Sequence, residues 1–121
     1  MIAYLSRLFR RPRAGEPVLI DAADLQRPIA DGDAVVLVDV RQPEEFMLPP
    51  GHLPGAINVP LGGLPRRTTE LAARRQAIVL VCKTDRRSAR AAAALLGAGL
   101  RDVAVLRGGT DGWHRQGLLL E

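Results

Sequence analysis

Short apolar runs alternate along the chain with segments of mixed polarity. The clearest runs are residues 34–40, AVVLVDV, and residues 77–81, AIVLV, and β-branched side chains are frequent in both. Continuous apolar runs of this length predict strands that are buried on both faces, as in a parallel sheet. Residues 18–20, 56–59 and 103–106 predict three further short strands.

Helical segments separate these runs. Asp21 is suited to be the N-cap of a short helix, which Pro28 limits or kinks. Thr68 or Thr69 is suited to cap a second helix, TTELAARR. The other predicted helical segments are one turn at 43–46, an alanine-rich helix that starts near Ser88 and ends at Gly97 to Gly99, and a short helix within 108–117.

The alternation of strands and helices predicts an α/β domain with a mainly parallel sheet. In such sheets the ligand lies beyond the carboxyl ends of the strands. Cys82 follows one predicted strand directly, and Asp39 and Arg41 bracket the end of another. These three residues therefore point to one edge of the sheet as the functional edge.

Length and charge divide the chain into two parts. Its 121 residues suffice for one domain with a hydrophobic core. The net charge of +4 belongs to residues 1–15, a basic extension, because residues 16–121, the predicted domain, hold equal numbers of acids and bases. A neutral domain with 3% aromatic residues argues against nucleic-acid binding. The extension is expected at most to make weak contact with a membrane or partner.

The extension also lacks the pattern of a secretory signal, because its apolar residues precede its arginines. Cys82 is the only cysteine, which rules out an internal disulfide and any dependence on an oxidising compartment. We therefore expect a cytoplasmic protein. One cysteine and two histidines also argue against a zinc site, so we expect no metal.

The residues that follow Cys82 favour a reactive thiol. A free thiol has a pKa of about 8.5, and nearby cations and a helix N-terminus favour the thiolate. A tight loop between strand and helix also directs N–H groups inward, as an anion-binding nest. A buried structural cysteine is the alternative, but the charged residues favour reactivity. The predicted anion-binding loop consists of Lys83, Thr84, Asp85, Arg86, Arg87 and Ser88.

Three stretches together resemble the rhodanese-like sulfurtransferases. They are DVRQPEEF followed by GHLPGAINVP, then CKTDRRSA, and then LRGGTDGWHRQG, and the resemblance covers residues 18 to about 117. It implies a five-stranded, mainly parallel sheet with helices on both faces. It also implies that Cys82 takes a sulfane sulfur from thiosulfate or a related small anionic donor. The resulting persulfide would pass the sulfur to cyanide, a thiol or a protein acceptor, without a cofactor.

The resemblance also assigns positions in the loop. Lys83 matches the first loop position, Arg87 the closing arginine and Ser88 the hydroxyl after it. Asp85 stands where the family often has glycine. A left-handed backbone there would cost aspartate some energy, and its charge is expected to oppose a dianionic donor such as thiosulfate.

Loop length bears on the alternatives. Four residues separate Cys82 from Arg87, whereas cysteine phosphatases place five between cysteine and arginine, and that position here is Ser88. The narrower nest suits one extra sulfur atom better than a phosphoryl group. A cysteine phosphatase or arsenate reductase is therefore disfavoured but stays open, as does a non-catalytic binding or regulatory module.

Several residues are expected to support the site. Asp39 and Arg41 are expected to hold loops through ion pairs or hydrogen bonds more than to touch substrate. His52 lies in a Gly-His-Leu-Pro-Gly turn, where hydrogen bonding within the turn is favoured over general-base catalysis. Trp113 is expected to pack in the core.

Overall fold

The computed structural model describes residues 16–32 and 35–121. The predicted basic extension, 1–15, and Ala34, the first residue of a predicted strand, lie outside these ranges. The strands are β1 (Val18–Ile20), β2 (Val35–Asp39), β3 (Ile57–Asn58), β4 (Ala77–Val81) and β5 (Val103–Leu106). The helices are α1 (Ala22–Ala30), α2 (Pro43–Met47), α3 (Leu64–Ala73), α4 (Arg86–Gly97) and α5 (Gly109–Arg115), with a 3₁₀ turn at Leu61–Gly63.

The five strands form one sheet in the order β1-β5-β4-β2-β3, and every neighbouring pair is parallel. The predicted α/β class and parallel sheet are confirmed. All five residues of β4 and all five of β2 are buried, as their continuous apolar runs predict. Asp39 is in register with Val81, so the end of β2 lies beside the residue that precedes Cys82.

Each face of the sheet is covered by two helices. Leu25 of α1 and Trp113 of α5 belong to the core on one face, and Leu71 of α3 and Leu95 of α4 to the core on the other. Cys82 lies in the second core. Trp113 is buried and its Nε1–H donates to the Leu119 carbonyl oxygen at 2.9 Å, so the prediction that it packs in the core is confirmed.

The predicted start of the helix TTELAARR, which is α3 in the structure, is wrong. α3 begins at Leu64, and Thr68 lies inside it with its Oγ1 donating to the Leu64 carbonyl oxygen at 3.2 Å. Pro65 suits the first turn, where its missing N–H has no helical partner. Leu64 and Leu71, seven residues apart, then share the buried face of the helix.

The helix after Cys82 begins two residues earlier than predicted. α4 starts at Arg86, so Arg86 and Arg87 belong to its first turn. Asp85 is the N-cap residue with φ −150° and ψ 5°, so its φ is negative. The left-handed backbone considered for this position does not occur, so aspartate is accommodated there without that cost.

No helix in the described ranges is long and apolar enough to cross a membrane, and α4, the longest of them, has 12 residues.

Candidate active site

Cys82 lies where β4 ends, and its side chain is almost completely buried, with 1% of the residue exposed. The Ser88 N–H donates to its Sγ at 3.4 Å, and the Ser88 hydroxyl lies 3.3 Å from the same sulfur. That hydroxyl also reaches the Asp85 carbonyl oxygen at 3.2 Å. Ser88 can therefore accept from a thiol while donating to Asp85, or donate to a thiolate.

The turn between β5 and α5 holds the loop after Cys82. The Thr110 N–H donates to the Cys82 carbonyl oxygen at 2.9 Å, and the Asp111 N–H donates to the Lys83 carbonyl oxygen at 3.0 Å. Gly109 has φ +57°, and a β-carbon there would collide with the carbonyl oxygens of Cys82 and Thr84. The third sequence motif therefore contributes a backbone surface against which the loop packs.

Arg87 is bound to a carboxylate. Its NH1 and NH2 donate to Oε1 and Oε2 of Glu45 at 2.6 and 2.9 Å, and each side chain is about one third exposed (34%). These hydrogen bonds lower the pKa of Glu45 to about 2. They are also the main cause of the raised pKa of Arg87, to which the charges of Cys82 and Asp39 add.

Glu45 is the site residue that sequence reasoning missed. It lies in α2, within the motif DVRQPEEF, and its Oε1 also accepts from the Gln42 N–H at 3.1 Å. The motif follows β2 and so predicts some acidic residue at the functional edge. The choice between Glu44 and Glu45 depends on the orientation of a helical turn, which the sequence pattern leaves open.

The other residues of the predicted loop are more open to solvent. Lys83, Thr84 and Arg86 are exposed, and Asp85 is half-buried. Among the described residues, neither Lys83 nor Arg86 forms an ion pair. The predicted group of three loop cations is therefore divided into two free cations and one that is bound to Glu45.

Asp39 and Arg41 form a buried ion pair beside the cysteine loop. Arg41 NH2 lies 2.8 Å from Asp39 Oδ2, and the same nitrogen donates to the Gly51 carbonyl oxygen at 3.0 Å. Asp39 also accepts from the Arg41 N–H at 3.0 Å. The Asn58 amide donates to the backbone oxygens of both residues. These contacts join the end of β2 to the segments at Gly51 and Asn58.

The His52 side chain contacts residues outside the Gly-His-Leu-Pro-Gly turn, so the expectation that it hydrogen-bonds within this turn is wrong. Its ring stacks on Phe46 with centroids 3.7 Å apart and planes 8° from parallel. Its Nδ1 lies 2.8 Å from the Phe46 carbonyl oxygen, and its Nε2 lies 3.6 Å from Glu121 Oε2. His52 therefore contacts the end of α2, the helix that carries Glu45.

A cavity and the arrangement of possible metal ligands also bear on what the protein could bind. A cavity of about 410 Å³ is lined by residues that include Leu71, Ile78 and Asp102, near the amino ends of β4 and β5 and thus at the edge opposite Cys82. Within the ranges that the structure describes, no three His, Cys, Asp or Glu side chains cluster so that they could hold a metal ion.

The Glu45–Arg87 pair predicts a pH-dependent contribution to stability. Because the pKa of Glu45 is about 2 in the folded state and 4.5 without these contacts, the contribution is full above pH 4.5 and disappears as the pH falls towards 2. In Glu45→Gln, the free energy of unfolding should therefore fall less between pH 4.5 and pH 2 than it does in wild type. The difference should be about 1 kcal/mol, because solvent screening reduces the effect of a partly exposed pair. Urea denaturation at a series of pH values measures it.

The control for this prediction is Glu44→Gln, since Glu44 is an exposed neighbour in the same helix. This variant should leave the pH dependence of the free energy of unfolding between pH 2 and 4.5 unchanged. The same pH dependence in wild type and in Glu45→Gln would contradict the prediction.

Known proteins share this fold and sequence pattern. The family model described as "Rhodanese-like domain" matches residues 21–116. A sulfurtransferase from Allochromatium vinosum is 37% identical over 99 residues, which are 82% of this chain and 90% of that protein. A thiosulfate sulfurtransferase from Pseudomonas aeruginosa superimposes with a TM-score of 0.74 at 33% identity, covering 88% of this chain and 20% of that longer one.

A third protein bears on the alternatives. It is a protein of unknown function from Rhodopseudomonas palustris, called a possible tyrosine phosphatase. It superimposes with a TM-score of 0.76 at 28% identity, covering 84% of this chain and 82% of that one. The match of the family model over most of the chain agrees with the observed sheet and with the three sequence motifs. The chain belongs to the rhodanese-like domain family.

Proposed function

We propose that this chain is a sulfurtransferase that moves a sulfane sulfur from thiosulfate or a related donor, through a Cys82 persulfide, to cyanide or a thiol acceptor. The observation that carries the proposal is the placement of Cys82 Sγ against the N–H and hydroxyl of Ser88, in the first turn of α4. Both groups can donate to a thiolate, and the helix N-terminus adds its partial positive charge.

The proposed reaction has two displacement steps. The Cys82 thiolate attacks the outer sulfur of thiosulfate, the Sγ–S bond forms, the S–S bond of the donor breaks, and sulfite leaves with the electron pair. An acceptor thiolate or cyanide then attacks the outer sulfur of the persulfide and releases the Cys82 thiolate. The exposed cations Lys83 and Arg86 can offset part of the charge on donor and leaving group.

The sulfur acceptor is another molecule, because Cys82 is the only cysteine in the chain. We infer that it is a small thiol or a protein partner. We also place the reaction in the cytoplasm, where a thiol stays reduced. Contact between the arginines of residues 1–15 and a membrane or partner stays a proposal from the sequence.

Two other functions of the site make different predictions. The similarity to a possible tyrosine phosphatase favours phosphate-ester hydrolysis. Against it, the loop is one residue short and Arg87 is already bound to Glu45. A non-catalytic binding module is favoured by the deep burial of Cys82. Neither alternative predicts a sulfur adduct on Cys82.

The test is intact-mass spectrometry of the protein after incubation with thiosulfate. We expect an adduct of about 32 Da, one sulfur atom, which cyanide removes as thiocyanate. The Cys82→Ser variant is the control and should gain no mass. If thiosulfate, methanethiosulfonate and a low-molecular-weight persulfide all fail to give the adduct, the proposed function is wrong. Hydrolysis of an aryl phosphate would instead support the phosphatase.

A further inference from the structure

The charges around Cys82 nearly balance. Lys83, Arg86 and Arg87 provide three cations, and Asp85 and Glu45 provide two carboxylates, so their net charge is +1. A Cys82 thiolate cancels the remaining charge. With the thiolate formed, the net charge of these six residues is about zero, so the site as a whole offers no net attraction that would favour a dianionic donor over a donor with one negative charge.

Arg87 directly precedes Ser88, the residue that contacts Cys82 Sγ, yet Glu45 occupies its guanidinium. The two hydrogen bonds use both NH1 and NH2, the fork that would otherwise bind a sulfonyl or sulfonate group. The hydrogen bonds from Glu45 are the main cause of the raised pKa of Arg87, and the charge of Cys82 adds to it. An anionic donor must displace Glu45 or bind without this fork.

Asp85 adds a second carboxylate at the same loop. Its Oδ2 lies 3.4 Å from the Gly108 N–H, so it occupies a backbone donor of the β5–α5 turn. Its carbonyl oxygen accepts from the hydroxyl of Ser88, the residue that contacts Cys82 Sγ. The Asp85 charge is therefore attached to the group of residues that surrounds the sulfur.

Building on the sulfurtransferase function proposed above, we propose that Glu45 and Asp85 are specificity-determining residues that make Cys82 prefer sulfur donors with a single negative charge over the thiosulfate dianion. Thiosulfonates and thiol persulfides belong to the preferred class. The Cys82 thiolate attacks the outer sulfur of a thiosulfonate, the Sγ–S bond forms, the donor S–S bond breaks, and its electron pair leaves on a sulfinate. Thiosulfate reacts in the same way but releases sulfite, so the two donors differ mainly in charge.

The test compares kcat/KM for thiosulfate and for methanethiosulfonate, with cyanide as the acceptor in both assays. Glu45→Gln and Asp85→Asn each remove one carboxylate charge but keep an oxygen acceptor for the Gln42 and Gly108 N–H groups. Each variant should raise the thiosulfate-to-methanethiosulfonate ratio of kcat/KM about three- to tenfold. Glu44→Gln removes an exposed charge from the same helix and should leave the ratio unchanged.

The salt dependence of the ratio provides a second measurement. The gain in the ratio for Glu45→Gln should shrink when the salt concentration rises from about 0.02 to about 0.5 M, since screening weakens the added attraction for the dianion. The wild-type ratio should change less over the same range.

The outcomes separate the two proposals. If both donors load Cys82 while the ratio of their kcat/KM values stays unchanged in Glu45→Gln and Asp85→Asn, the specificity inference is wrong and the sulfurtransferase function stands. If wild type and variants transfer sulfur from neither donor, the specificity inference is wrong. If a low-molecular-weight persulfide also fails to load Cys82, the proposed function falls as well. A rise in the ratio that salt does not reduce would also overturn the charge argument.

Discussion

Asp39→Asn should lower the free energy of unfolding by about 3–5 kcal/mol, a large share of the stability of a domain of this size. The Asp39 residue is completely buried, and its carboxylate is the counterion of Arg41, whose side chain is 5% exposed. Asparagine has nearly the same shape but leaves the Arg41 charge buried without a counterion. Urea denaturation at neutral pH measures the loss.

Two further variants test the reason for this loss. Asp39→Asn combined with Arg41→Met removes both charges and should recover a substantial part of the stability, because the penalty comes from the unpaired charge. Asp21→Asn makes the same substitution in the exposed Asp21–Arg107 pair, where both side chains are more than half exposed, and should have little effect. Equal losses for Asp39→Asn and Asp21→Asn would contradict the prediction.

Gly109→Ala should cost about 2–4 kcal/mol, because it combines a left-handed backbone for a non-glycine residue with overpacking. The added β-carbon would collide with the carbonyl oxygens of Cys82 and Thr84, which are backbone atoms and cannot rotate away. The loop must therefore shift, and the hydrogen bond from Thr110 N–H to the Cys82 oxygen must lengthen or break. Sulfur loading of Cys82 should slow in the protein that stays folded.

Gly117→Ala is the matched control for this prediction. Gly117 has φ +78°, a comparable left-handed value, but a β-carbon there would meet no heavy atom within 4 Å. It should show only the backbone cost, about 1–2 kcal/mol, and normal sulfur loading. If Gly109→Ala behaves like Gly117→Ala in both measurements, close packing of this turn against the cysteine loop is not important.

The three sequence motifs contribute to the site in different ways. The first provides the buried Asp39–Arg41 pair and Glu45, the second provides Cys82 with Ser88 and Arg87, and the third provides a backbone turn. In the third motif, the glycines and N–H groups contact the loop, and His114 and Arg115 are exposed. The resemblance in sequence therefore reflects packing as much as chemistry.

The sequence alone was enough to predict the strands, the class of sheet and the position of Cys82. These predictions depend on local properties: a run such as residues 77–81 can only be buried on both faces, and the residue after it must then lie at the carboxyl edge. The start of α3 was missed because Thr68 is a good cap by residue type, whereas packing of Leu64 and Leu71 favours an earlier start.

The electrostatics of the site were decided by tertiary structure. A count of charges near Cys82 in the sequence gives three cations and Asp85, and it predicts a site suited to anions. Folding brings Glu45, 42 positions from Arg87, into a bidentate contact with that arginine. Charge–charge energies are largest for groups in direct contact, so the partner of each charge depends on the orientation of helices that are distant in sequence. The sequence by itself determined where the thiol lies, and only the tertiary structure decided which of its neighbouring charges remain available to a substrate.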